Sequence, residues 1–238
     1  MEIHEFSEDL IRKASILGIN ISKEQANLYY KYMNLLIDWN EKINLTAITE
    51  PHEIIIKHFI DSITSLKYIP KNSKVLDIGT GAGFPGIPLK ILDDNKYVLV
   101  DSLNKRINFL NEVVKELSLE NVELVHARAE EFARDKKRRE KFNVVLARAV
   151  ASLNILLEYM LPMLEIGGIC ICMKGPQVEE ELKNADKALN ILGGKIEKVD
   201  TLILPETNIE RSIIVIKKVK NTPNTYPRKA GTPNKNPL

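Results

Sequence analysis

The chain is 238 residues long, 44% hydrophobic and 28% charged, with a net charge of +2 at pH 7, enough for one α/β domain with an appendage. Its two cysteines, Cys170 and Cys172, are too few for a metal site and too close for a relaxed bridge, so no metal and two buried thiols are expected. The most apolar long stretch, residues 155–173, is broken by Glu158, Pro162, Glu165 and Gly167-Gly168, which excludes a membrane span. The opening Met1-Glu2-Ile3-His4-Glu5 lacks a basic and an apolar leader region, and this predicts a cytoplasmic protein.

Residues 1–70 read as a helical region packed on the core of the α/β domain. Ser22-Lys23-Glu24-Gln25 has the spacing of a capping box. Behind it, Leu28, Tyr32, Leu35 and Trp39 recur at four, three and four positions and predict one packing stripe. Asn44-Leu45-Thr46-Ala47-Ile48-Thr49 is a loop, and residues 51–68 are a second helical run. Its His52 and His58 are six apart, which does not fit a helical zinc motif. His58, Asp61 and Ser62 are expected to make hydrogen bonds on the helix surface.

From residue 71 to 220 the pattern alternates strands and helices, the signature of a doubly wound sheet. Strands are predicted at residues 75–78, 97–101, 122–126, 142–146 and 169–173, with a helix at 105–117. Residues 195–204 and 212–218 leave no room for a crossover helix, so this last pair is antiparallel. The expected fold is an α/β, Rossmann-like, mostly parallel seven-stranded sheet with an antiparallel last strand, the class I methyltransferase form, plus an N-terminal helical extension.

The first strand runs into Asp77-Ile78-Gly79-Thr80-Gly81-Ala82-Gly83-Phe84-Pro85-Gly86, a turn that admits ligand against bare backbone. It fits the dinucleotide pattern G-x-G-x-x-G and equally the Asp-x-Gly-x-Gly-x-Gly turn for S-adenosylmethionine. Pro85 and Pro88 weigh toward the second, because they remove amide donors a pyrophosphate would need. Later strand ends supply a consistent pocket. Asp101-Ser102 would face ribose hydroxyls, Arg128-Ala129-Glu130 the adenine, and Arg148 the transferable methyl.

Of the 34 basic residues, seven lie from Arg211 onward with no acid among them, which leaves 27 before that point against all 32 acids. Residues 221–238 form a basic, Pro-rich tail, expected to be extended or disordered until bound, and an electrostatic footprint for nucleic acid. The charged stretch 134–141 reads as solvated.

The sequence closely resembles the bacterial 16S ribosomal RNA guanine-N7 methyltransferase family, also called glucose-inhibited division protein B. The resemblance is carried by Asn44-Leu45-Thr46, His58, Asp61-Ser62, the glycine turn with its Pro85-Gly86 ending, and Asp101-Ser102 with Lys105-Arg106. Phe109-Leu110, Arg128-Ala129-Glu130, Arg148-Ala149, Lys174-Gly175 and Tyr226-Pro227-Arg228-Lys229-Ala230-Gly231 complete it. Leu146 departs from the pattern, which often has a small hydroxyl residue there. The resemblance implies S-adenosylmethionine as cofactor and 7-methylguanosine in the decoding region of 16S ribosomal RNA as product, with the RNA or the small ribosomal subunit as partner. The cofactor positions implied by the resemblance are Gly79, Phe84, Ala129, Glu130 and Arg148; the glycine turn and the second strand end add Gly81, Gly83, Asp101 and Ser102 to the expected cofactor residues, with no catalytic acid or base assigned. His58, Asp61 and Lys174 are implied as guanine contacts, and Lys105-Arg106 and the tail are expected to position RNA phosphates. A nicotinamide oxidoreductase and a non-catalytic RNA-binding protein stand as alternatives.

Overall fold

The computed structural model describes residues 1–148, 150–176 and 178–238. Ala149, one of the residues carrying the resemblance, lies outside the described residues. Seven strands form one sheet in the order β3-β2-β1-β4-β5-β7-β6. They are β1 (Lys74–Ile78), β2 (Lys96–Asp101), β3 (Val122–His126), β4 (Phe142–Arg148), β5 (Leu164–Lys174), β6 (Gly194–Ile203) and β7 (Glu210–Lys218). β1 to β5 pair in parallel, and β7 runs antiparallel between β5 and β6. The order turns back at β1, between β2 and β4, and ligands bind such sheets at the strand ends beside that switch point.

Strand residues alternate between two apolar layers because successive side chains face opposite sides. Val75, Leu99, Val144 and Ile171 belong to one layer; Leu76, Val98, Val145, Cys170 and Cys172 belong to the other. Both cysteines are buried, free thiols, and burial pushes Cys172 up to about 12. β5 begins five residues before the expected strand. Gly168 allows this, since a Cβ there would stand 2.8 Å from the Asn143 carbonyl oxygen, and the register with β4 shifts at that point.

The first layer is covered by α1 (Ile3–Ile16), α2 (Lys23–Asn40), α5 (Gly86–Leu92) and α6 (Asn104–Glu116). The capping box of α2 forms: the Ser22 Oγ accepts from Gln25 N at 3.2 Å, and Gln25 Oε1 accepts from Ser22 N at 2.9 Å. Its buried face differs from the expected stripe. Ala26, Tyr29, Tyr32, Met33 and Leu36 are buried, whereas Leu28, Leu35 and Trp39 are half-buried. The phenols take the deep positions because each has a carbonyl to donate to: Tyr29 reaches Pro88 O at 2.6 Å and Tyr32 reaches Ala82 O.

The run 51–68 is helical but not one α-helix. α3 (Pro51–Ile54) passes into a π-helical turn (Ile55–Ile60), then α4 (Asp61–Ile63) and a 3₁₀ turn at Leu66–Tyr68. The second layer is covered by α7 (Ala129–Arg134), α8 (Leu153–Met160) and α9 (Glu179–Leu192).

The tail is docked, contrary to expectation, and ends in the short α10 (Thr232–Lys235). The 134–141 stretch, expected to be solvated, holds it. Arg139 donates to Tyr226 O and Thr222 O, both at 2.7 Å, and Arg134 Nε donates to Pro227 O at 3.0 Å. Backbone carbonyls in a structureless segment are free acceptors, and an arginine fork can satisfy two of them at once. Among the described residues no helix is long and apolar enough to cross a membrane.

Candidate active site

The glycine turn is tied down by Asp77, which is fully buried. Its Oδ2 accepts from Thr80 Oγ1 at 2.6 Å and from Gly86 N at 2.9 Å, while Oδ1 has no partner. Burial raises this carboxyl to about 6. The start of α5 therefore has no donor to spare. Gly86 N is held by Asp77, Ile87 N by Gly83 O at 2.8 Å, Leu89 N by Pro85 O at 3.3 Å, and Pro88 has no N–H. A pyrophosphate needs free first-turn amides, so the dinucleotide reading fails on donors.

The first cavity, of about 410 Å³, opens at the ends of β1 to β4 and is of a size for a small ligand. Gly79, Asp101, Ser102, Ala129 and Glu130 line it. Gly79, at φ +66°, presents bare backbone, and a Cβ there would stand 3.0 Å from Val150 Cγ2. Asp101 is more committed than the sequence suggested. Its Oδ1 accepts from Leu103 N at 2.9 Å, and its Oδ2 from Gly81 N at 2.9 Å and Arg106 Nη1 at 3.1 Å. A carboxylate has about four acceptor sites, so Asp101 has room for one ribose hydroxyl and not both. Arg106, expected to hold RNA phosphates, instead lines this cavity, and its Nε is buried without a partner. Bare backbone, an acceptor beside the β2 end and an unspent donor fit the nucleoside and the amino-acid carboxylate of S-adenosylmethionine.

Four predicted cofactor residues do not line this cavity. Gly81 is bonded into the turn by Asp101. Gly83 packs behind it, where a Cβ would meet Tyr32 Oη at 2.6 Å. Phe84 is stacked between Tyr32 and His58, with ring centroids 5.4 and 4.4 Å away. Arg148, the last residue of β4, turns into a second cavity of about 350 Å³.

That second cavity is where the π-helical turn matters, for it presents Lys57 and His58 on one side, with Asp61 beside them at the start of α4. Arg148 donates to Lys57 O at 3.0 Å and to Asp61 Oδ2 at 3.3 Å, and lies 3.3 Å from His58 Nδ1. Arg211 Nε stands 3.1 Å from both Asp61 oxygens. Arginine has no acceptor, so His58 Nδ1 accepts and its Nε2–H donates to Thr46 Oγ1 at 2.9 Å. Burial first, and the Arg148 charge second, lower His58 to about 3. His58 and Asp61 thus do more than the helix-surface hydrogen bonding expected of them. Lys174 also lines the cavity, donating to Ala151 O at 2.6 Å and pairing with Glu181.

Sequence reasoning missed Tyr159, Gly231 and Asn234, which line the first cavity. Tyr159 sits in the last turn of α8 with no motif to mark it. The other two belonged to a segment read as an RNA arm, though Gly231 ends the Tyr226 to Gly231 match.

The family model for rRNA small subunit methyltransferase G matches residues 25–212. Ribosomal RNA small subunit methyltransferase G of Desulforamulus reducens is 53% identical over 232 residues, covering 96% of this chain and 97% of its own length. That of Clostridium tetani is 49% identical, covering 93% and 94%. Among solved structures, M. jannaschii TYW2 in complex with AdoMet is similar with a TM-score of 0.54 at 16% identity, over 68% of this chain and 76% of that one. Ribosomal protein L11 methylase from Lactobacillus delbrueckii subsp. bulgaricus gives a TM-score of 0.52 at 16% identity, over 67% and 77%. These likenesses establish the class I methyltransferase fold. With the glycine turn, the two cavities and the near full-length relatives taken together, the chain belongs to the rRNA small subunit methyltransferase G family.

Proposed function

We propose that this chain transfers a methyl group from S-adenosylmethionine to N7 of a guanosine in the decoding region of 16S ribosomal RNA, acting in the cytoplasm on the RNA or the small subunit. The observation that carries this reading is the pair of cavities at the strand ends, one whose lining fits a nucleoside cofactor and one lined by Lys57, Arg148, Lys174 and Arg211. S-adenosylmethionine, when bound, supplies an electrophilic methyl on a sulfonium leaving group. Gly79, Asp101, Arg106, Ala129 and Glu130 would hold it.

N7 of guanine is a neutral ring nitrogen with a free lone pair, so its attack needs no general base. The second cavity agrees with that demand. His58 is neutral through the physiological range with both nitrogens engaged, and Arg148 cannot give up its proton. What the chain contributes is position. Well-oriented reactants gain about 7–11 kcal/mol over free encounter in favourable cases. Asp61, Arg148 and Arg211 hold one another rigidly, and the lining carries four cations to one carboxylate, an excess of positive charge that favours an anionic backbone nearby.

The test is mass mapping of ribosomal RNA methylated by this protein with labelled donor. A single methyl on guanosine N7 in the decoding region is expected. Label on another atom or nucleotide, or none, overturns the reading.

A further inference from the structure

Glu158, on α8, is fully buried, and both its oxygens are spent on one residue of the C-terminal segment. Oε1 accepts from the Arg228 backbone N–H at 2.7 Å and from its Nε at 2.9 Å, and Oε2 accepts from its Nη2 at 2.6 Å. A main-chain donor and a guanidinium fork on the same carboxylate fix the direction of the segment as well as its place. Three residues on, Gly231 N donates to Glu130 Oε1 at 2.9 Å. The backbone at Gly231 has φ +79°, a conformation that glycine adopts without strain. From there Gly231 and Asn234 join Asp101 and Glu130 in lining the first cavity.

A flexible RNA arm would leave its cations free for phosphate. Here Arg228, the segment's only arginine, is committed to Glu158, and on the neighbouring β7 Lys218 and Arg211 are committed to Glu140 and Asp61. The segment's backbone is meanwhile clamped by Arg134 and Arg139.

We propose that residues 226–238 are a wall of the cofactor cavity: Arg228 and Glu158 are positioning residues that hold Gly231 and Asn234 against the adenosine half of S-adenosylmethionine. The segment retains cofactor; it does not capture RNA. This rests on reading the first cavity as the cofactor site.

Titration calorimetry of the full chain with S-adenosylmethionine and S-adenosylhomocysteine tests it, using Arg228→Ala, Arg228→Lys and Asn234→Trp. Arg228→Ala is expected to weaken both ligands about tenfold or more, with KM for the donor rising in step and kcat at saturation held. Arg228→Lys, which keeps the charge and loses the fork, falls between. Asn234→Trp, at an exposed position that leaves the core untouched, fills the cavity and weakens ligand as much. RNA affinity and its salt slope stay at the wild-type values in all three. Unchanged ligand affinity in Arg228→Ala and Asn234→Trp overturns the inference, as does a loss confined to RNA affinity with a shallower salt slope. If Arg228→Ala does not fold, Asn234→Trp decides alone. A wild-type chain that takes up neither ligand overturns the cofactor-site reading itself, before any variant is compared.

Discussion

Gly81 and Gly83 both have positive φ, yet their surroundings differ. At Gly83, φ +99°, a Cβ would meet Tyr32 Oη at 2.6 Å and Ile87 Cγ1 and Leu110 Cδ2 at 2.8 Å. Gly83→Ala therefore combines backbone strain with overpacking and is expected to cost about 2–5 kcal/mol. Gly81, φ +62°, has nothing within 4 Å, so Gly81→Ala should cost only the left-handed penalty, about 1–2 kcal/mol. Urea denaturation of the two variants checks the ranking; equal losses would contradict it. Two buried titrating groups pull stability in opposite directions with pH. His58 titrates near 3 folded against the ordinary 6.5. The unfolded chain binds the extra proton between those values, and this contribution is lost as pH falls through that window. Asp77 titrates near 6 folded against 3.8, so its contribution is lost as pH rises through its window. Between about pH 4 and 6 the wild-type slopes oppose each other, each worth up to about 1.4 kcal/mol per pH unit. His58→Gln should make stability fall with pH there and Asp77→Asn should make it rise, measured by denaturation at several pH values. Matching slopes in the two variants would contradict the assignment.

At the scale of elements, the π-helical turn brings the sequence-distant Arg148 and Arg211 onto Asp61. Residues three and four apart share a face of an α-helix, and the extra residue in the wider turn brings Lys57 and Asp61 closer to eclipsed, so that both line one cavity with His58 between them, a recurrent use of π geometry at functional sites. Asp61, 4% exposed, serves two guanidinium groups. Asp61→Asn leaves both without a counter-charge, and the expected cost is about 3 kcal/mol by thermal or chemical unfolding. Replacement at no cost would mean that solvent already screens the pair. The helix α2 illustrates a related point. Its register on the glycine turn and α5 is set by the Tyr32 hydroxyl finding Ala82 O and the Tyr29 hydroxyl finding Pro88 O, which an apolar spacing rule does not weigh. That is why Tyr32 held its predicted place while Leu28, Leu35 and Trp39 shifted to the margin.

For the whole molecule, the charge asymmetry of the chain does not survive folding as an arm. Of the seven cations from Arg211 onward, Arg211, Lys218 and Arg228 are paired with buried or half-buried carboxylates, leaving Lys217, Lys220, Lys229 and Lys235 exposed. If those four gripped RNA, replacing all of them with glutamine would flatten the salt slope by about 3, at roughly 0.7 per single-strand contact. We expect a change below about 1 in filter binding across a salt series. A change near 3 would return the segment to RNA capture.

Local patterns carried the sheet and much of the site. Apolar runs punctuated by glycine and proline mark strands wherever they occur, and the absence of a crossover helix between residues 204 and 212 left β6 and β7 no parallel arrangement. Gly79, Asp101, Ser102, Ala129 and Glu130 could be read together because strand ends in such a sheet converge whatever the helices do. Tertiary structure decided the rest. Whether Arg148 faces cofactor, RNA or carboxylate depends on partners 87 to 91 positions away, and no local spacing encodes them. The tail looked disordered because its composition offers little to bury. It is ordered because Glu158, Arg134 and Arg139, distant in the chain, leave charges that its backbone and Arg228 complete.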